Sequence, residues 1–236
     1  MSLSIDRANL AGTYVQMLLS GDRQGARQLI EASLLSGWSV GGGGNERSGP
    51  TRERIQGLDR EDKTTLASLN LATRLNRSLA DQLTGKLEHR EPNGKTPLIF
   101  CADDEPEELG GQICADLFEA DGWTVRFAGG GVPNDEVLRM IGEERPDLLV
   151  MFATLPSNVP AVRKLIDYLR EVNSCPQMQI MCCGGIYKRA AGLADAIGAD
   201  LYAPDAAEAV AVAARSTNKP APLDQHTHPR RPARRH

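Results

Sequence analysis

The sequence predicts an α/β fold: a doubly wound, five-stranded parallel sheet preceded by a helical N-terminal domain. Three observations carry that expectation. From residue 97 onward, five short apolar runs alternate with amphipathic stretches. Before residue 88 the apolar residues recur at helical spacing with no strand pattern among them. Between the two lies a polar segment, Glu88 to Thr96, with the composition of a linker.

The helical part comes first. Ile5, Leu10, Tyr14, Leu18 and Leu19 trace one face of a helix that Ser4 can cap. Gly21 and Asp22 interrupt the pattern, and Asp22 is placed to cap a second helix carrying Ala26, Leu29, Ile30, Ser33 and Leu34, which Gly37 stops. The glycines at 41 to 44 open a flexible loop, 41–50, because consecutive glycines lose too much backbone entropy to sit in a regular element. No strand precedes it and no Gly-Lys-Ser/Thr follows, so it is not a phosphate loop. Trp38, just before it, reads as a core or surface aromatic. A longer helix is expected from about Asp62 to about Leu87, with Leu66, Leu69, Thr73, Asn76, Leu79 and Leu83 on one face.

The α/β part follows. Strands are expected at Leu98–Ala102, Thr124–Ala128, Leu148–Ala153, Gln179–Cys183 and Leu201–Ala203, with helices starting near Glu107, Asn134, Val159, Lys188 and Asp205. Right-handed crossovers between parallel strands then give a flavodoxin-like arrangement with helices on both faces. The expected units are 1–87, a linker at 88–96, the α/β domain at 97–216 and a basic disordered tail at 217–236.

Bulk composition narrows the function classes. The chain has 236 residues, of which 41% are hydrophobic and only 4% aromatic, so aliphatic side chains must fill the core. No apolar run approaches the roughly 20 residues that span a bilayer, and the N-terminus lacks a signal-peptide pattern; a cytoplasmic protein without a membrane partner is expected. Net charge is −4. The tail holds Lys219, Arg230, Arg231, Arg234 and Arg235 against Asp224, so it carries about +4 and the rest about −8. An acidic body argues against nucleic-acid binding except through the tail or a partner. The five cysteines form no Cys-x-x-Cys pair and read as reduced, structural thiols, with Cys182 and Cys183 on opposite faces of one strand.

The most informative stretch is Asp103-Asp104-Glu105-Pro106-Glu107-Glu108-Leu109-Gly110-Gly111, an acidic loop after the first expected strand. Ligands of open parallel sheets bind at the carboxyl ends of the strands. Five carboxylates there would repel a phosphate, which excludes a flavin phosphate loop, and no Gly-x-Gly-x-x-Gly is present for a dinucleotide. A phosphorelay receiver needs an Asp after strand three and a Lys after strand five. This chain has Phe152-Ala153-Thr154-Leu155 and Tyr202-Ala203-Pro204-Asp205 instead.

Glu105-Pro106-Glu107-Glu108-Leu109-Gly110 resembles the Asp/Glu-x-His-x-x-Gly signature of cobalamin-binding domains. Asp121-Gly122-Trp123, Gly131-Val132-Pro133 and Arg145-Pro146-Asp147 agree with that context. Ala153-Thr154-Leu155-Pro156-Ser157 is similar to the family's Ser/Thr-bearing loop after strand three. Cys183-Gly184-Gly185 resembles its Gly-Gly motif, and Gly198-Ala199-Asp200 through Ala209 completes the order. Tyr14, Leu18 to Arg23 and Ala26 resemble the first helices of the helical cap found in methionine synthase, corrinoid proteins and light-sensing cobalamin regulators. Leu69-Asn70-Leu71-Ala72-Thr73 echoes a Glu-His-x-Ala-Thr helix of that cap, with Leu69 and Asn70 at the Glu and His positions.

The resemblance implies cobalamin as cofactor, with Glu105, Glu107, Gly110, Thr154, Ser157, Gly184 and Gly185 as candidate binding residues. In the family the signature histidine ligates cobalt from below; here Glu107 stands in its place, and Glu105 in that of its acidic partner. The chain's histidines are His89 in the linker and His226, His228 and His236 in the tail. Three readings follow. A non-catalytic binding or regulatory module would hold cobalamin base-on, without a histidine ligand. A degenerate cobalamin-type fold would bind no corrinoid and contact a protein partner through its acidic loop. An enzyme would use Glu105, Glu107 and Glu108 as acid/base groups or Mg²⁺ ligands, although no nucleophile accompanies them.

Overall fold

The computed structural model describes residues 7–35, 65–102, 105–173 and 175–216. The expected Ser4 cap, Gly37 stop, glycine-rich loop, Trp38 and basic tail lie outside the described residues, as do Asp103 and Asp104.

Helices α1 (Arg7–Ser20), α2 (Arg23–Leu35) and α3 (Leu66–Thr84) form the N-terminal part. Asp22 acts as expected: its Oδ1 accepts from the Gly25 amide at 2.9 Å, satisfying one of the orphan donors of α2. Thr65 does the same for α3, accepting from the Ser68 amide at 3.2 Å. Tyr14, Val15, Leu18, Ala26, Ile30, Ala72, Leu75 and Leu79 close a core of their own. Within it the Tyr14 hydroxyl donates to Asn76 Oδ1 at 3.0 Å, which gives the buried amide a partner.

The α/β part runs β1 (Pro97–Cys101), α4 (Glu105–Ala120), β2 (Arg126–Gly129), α5 (Asn134–Glu144), β3 (Leu148–Phe152), a 3₁₀ turn (Pro156–Asn158), α6 (Val159–Val172), β4 (Gln179–Cys183), α7 (Gly185–Arg189), α8 (Leu193–Ala196), β5 (Leu201–Ala203) and α9 (Ala206–Arg215). All pairings are parallel and the strand order is β2-β1-β3-β4-β5, as the sequence predicts. The period of two along each strand divides the core. Leu98, Phe100, Leu149, Met151, Ile180 and Cys182 meet α5, α6, α7 and α8 on one face. Ile99, Cys101, Val150, Phe152, Met181 and Cys183 meet α4 and α9 on the other. Cys182 and Cys183 thus point oppositely, and all five cysteines are free.

Several boundaries differ from expectation: β1 is Pro97–Cys101 rather than Leu98–Ala102, β2 ends at Gly129 rather than Ala128, β3 ends at Phe152 rather than Ala153, and α3 ends at Thr84 rather than about Leu87. Helix α4 begins at Glu105 rather than Glu107, because Pro106 suits a first turn whose amides lack intrahelical acceptors. Strand β2 starts at Arg126 rather than Thr124, because the Thr124 amide bonds Lys95 O ahead of β1. The helix expected near Lys188 starts at Gly185 and ends early; Gly192, at φ +78°, separates it from α8.

Helix α4 lies unusually close to the sheet. A Cβ on Gly111 would stand 2.4 Å from Cys101 Sγ and 3.2 Å from Phe127 Cε2, while Gly142 on α5 faces open space. Helix propensity favours Ala over Gly by about 1 kcal/mol at either site, but overpacking costs about 1–3 kcal/mol. Urea denaturation is therefore expected to show Gly142→Ala more stable than the parent and Gly111→Ala less stable.

Candidate functional site

The carboxyl ends of five parallel strands share one edge of the sheet. β1 feeds α4 on one face and β3 feeds α6 on the other, so the chain diverges between these neighbouring strands. Such a switch point opens a crevice at the strand ends, and the candidate residues gather around it.

From Glu105 onward the acidic motif is helix, not loop, and Glu105 and Glu107 lie in the first turn of α4. Gly110 sits one turn further on. A Cβ there would come within 2.5 Å of Phe152 Cε1, so this glycine lets α4 cross the end of β3 in contact with an aromatic ring. Glu108, which the sequence alone does not single out as structural, bonds Arg77 of α3 at 3.3 Å and lies beside Gly129 at the end of β2. Both partners are about one-third exposed, so the pair contributes at most about 1 kcal/mol.

Beyond β3 the chain turns through Thr154, which is half-buried, and Ser157, which is exposed within the 3₁₀ turn. The Arg189 guanidinium of α7 donates to the Thr154 carbonyl, fixing that turn to the segment after β4. Gly184 adopts φ +118°, and a Cβ on it would lie 2.3 Å from the Ala153 carbonyl oxygen. Backbone therefore meets backbone between the ends of β3 and β4, as it can only where one residue lacks a side chain. Gly185 begins α7. Gly110, Thr154 and Gly184 are thus joined through Phe152 and Ala153; Ser157 stands further out on the surface.

The donor chemistry is plain. Among the described residues the one histidine is His89, exposed in the connecting segment, and no three His, Cys, Asp or Glu side chains cluster where a metal ion could be held. The nearby thiols do not substitute. Burial pushes Cys182 up to about 11, against a lowering by the Tyr187 hydroxyl, and burial beside Cys114 pushes Cys183 upward as well. A thiol held protonated is a poor nucleophile and ligand. No helix among the described residues is long and apolar enough to cross a membrane.

Comparison with known proteins agrees with this architecture. The protein is 30% identical over 106 residues to dimethylamine corrinoid protein 1 of Methanosarcina acetivorans, covering 45% of this chain and 49% of that one. It is 29% identical over 103 residues to dimethylamine corrinoid protein 3 of Methanosarcina mazei, covering 44% and 60%. The matches thus span about half the length of these curated relatives. The solved structure of the Methanosarcina barkeri monomethylamine corrinoid protein superposes with a TM-score of 0.70 at 18% identity, over 88% of this chain and 98% of that one. It shares the fold, N-terminal helices included. The family described as B12 binding domain matches residues 95–211. With its five-stranded parallel sheet, the 95–211 segment belongs to the B12-binding domain family.

Proposed function

We propose that the protein binds a corrinoid at the carboxyl edge of its sheet and holds it base-on, as a non-catalytic carrier or regulatory module. The feature that supports this reading is a B12-family segment with no described histidine at its carboxyl edge: by the resemblance Glu107 takes the place of the ligating histidine, and His89 lies exposed in the connecting segment. Neutral imidazole is a good nitrogen ligand for a cobalt centre, and a carboxylate pair cannot reproduce a carboxylate–histidine–metal relay. The donor set therefore fits a corrinoid that keeps its own nucleotide base and does not fit one tethered through the protein. Gly184, Gly185 and Gly110 would give the close backbone approach, and Thr154 and Ser157 would supply hydroxyls to the ligand's polar groups. A bound corrinoid would bring an organometallic centre; the protein's own groups would orient and cover it. The relatives' names associate them with methylamines, and a protein partner that supplies or uses the corrinoid suits a module without a nucleophile of its own.

A second reading, a family fold that retains no corrinoid and serves as an interaction module, is favoured by the Arg77–Glu108 pair that already joins α3 to the start of α4. The two readings part in one experiment. Pure protein mixed with hydroxocobalamin or methylcobalamin and passed over a sizing column is expected to co-elute with the corrinoid, and the methylcobalamin complex is expected to stay red, the colour of the base-on form. Elution of colourless protein at high micromolar corrinoid sinks the proposal. In Glu107→His, a new imidazole at position 107 is expected to displace the native base, so the variant loaded with cob(II)alamin carrying ¹⁵N in its dimethylbenzimidazole should show a ¹⁴N triplet in electron paramagnetic resonance. A ¹⁵N doublet in that variant would mean that position 107 does not face cobalt.

A further inference from the structure

Among the described residues, the ends of β1, β3 and β4 meet without a slot between them. The ladder continues past the strands: the Ala102 amide donates to the Phe152 carbonyl at 3.0 Å, and the Ala153 amide to the Cys183 carbonyl at 2.9 Å. Where β3 and β4 give way to their turns, a Cβ on Gly184 would stand 2.3 Å from the Ala153 carbonyl oxygen, so backbone touches backbone there. On the face that α6 and α7 cover, Tyr187 is 1% exposed and reaches the Cys182 thiol. On the α4 face the space is taken by Phe152.

Phe152 is the last residue of β3, beside the switch point, and only 5% exposed. Its side chain stands among the residues that pack α4 and α9 against the sheet. A Cβ on Gly110 would lie 2.5 Å from Phe152 Cε1 and 2.6 Å from Cζ, so the far edge of the ring is what meets the helix backbone. At Gly111, Cys101 Sγ and the Phe127 ring close the next stretch in the same way. In open parallel sheets a ligand enters the crevice at the switch point. Here a side chain of the sheet itself fills the α4 side of that crevice.

We infer that Phe152 plugs the crevice between α4 and β3 and so keeps the nucleotide arm of a bound corrinoid outside the sheet. This role rests on corrinoid binding at the carboxyl edge, and it adds to the absent histidine a second reason for the base-on form. A flat benzimidazole detached from cobalt needs an apolar recess in which to leave water. The Phe152 ring, itself flat and apolar, occupies that recess. With none to enter, the base covers its apolar face only by staying beneath the corrin ring. Gly110 and Phe152 then act as one unit: the glycine lets the helix close on the ring, and the ring shuts out the ligand's arm.

Two probes test this on the full chain. The first is α-ribazole, the ribosylated dimethylbenzimidazole, followed by ligand-observed nuclear magnetic resonance. A sealed apolar cavity takes a small aromatic molecule, but a nucleoside enters only where the mouth is open to the edge. No binding to the parent is expected, and clear binding to Phe152→Ala. Phe152→Leu, which keeps an apolar side chain but withdraws the ring from Gly110, is expected to show a smaller gain and serves where the alanine variant does not fold. The second probe compares cobalamin with cobinamide, which lacks the nucleotide, on the parent. Affinities within about fivefold of each other are expected, since the arm makes no buried contact. Binding of α-ribazole by the parent, no gain in a folded variant, or a larger parent preference for cobalamin would each overturn the assignment. If the parent retains neither corrinoid, the carrier reading fails, and α-ribazole still decides whether Phe152 is a plug.

Discussion

Helix α4 approaches the sheet so closely that two consecutive residues, Gly110 and Gly111, have no room for a side chain. The Phe152 ring occupies the space above one and Cys101 Sγ the space above the other. Much of the molecule rests on that contact. It holds the first turn of α4, with Glu105 and Glu107, at the carboxyl edge beside the ends of β1 and β3. It also holds the outer face of α4 where Arg77, Asp81 and Thr84 of α3 reach it. The glycine that ends the family signature is thus explained by packing, whatever the protein binds.

The same logic recurs at Gly184, where the strand ends come together backbone to backbone. Glycines shape the edge, and around them stand small hydroxyls and carboxylates. Among the described residues, chemistry that needs a nitrogen donor or an activated thiol has little to work with there, because His89 lies in the connecting segment and burial pushes the Cys182 and Cys183 thiols up. On the proposed reading, the glycine-shaped cradle persists while Glu107 takes the place of the group that would grip the metal.

The sheet was legible because each strand is a short apolar run bounded by turn residues. Val159, Asn134, Gln179 and Leu201 begin their elements where periodicity places them. The start of α4 was harder to read, since five acids in six positions have the composition of a solvated loop, and only the tolerance of Pro106 in a first turn marks the helix. Arg77–Glu108 and Thr84–Asp116 were invisible, because partners 31 and 32 residues apart leave no local pattern. Of the candidate site, the glycines were recognisable by motif; Phe152, which makes Gly110 necessary, looked like one more core aromatic.

The central claim is that any axial nitrogen below cobalt belongs to the corrinoid and not to the protein. Electron paramagnetic resonance of the protein loaded with cob(II)alamin reads that ligand directly, since nitrogen nuclear spin splits the cobalt lines. With natural-abundance cobalamin a triplet splitting is expected. With cobalamin carrying ¹⁵N in its dimethylbenzimidazole, the triplet should become a doublet. A triplet that persists after labelling would mean a protein nitrogen at cobalt, and the loss of nitrogen splitting altogether would mean a displaced base; either contradicts the account.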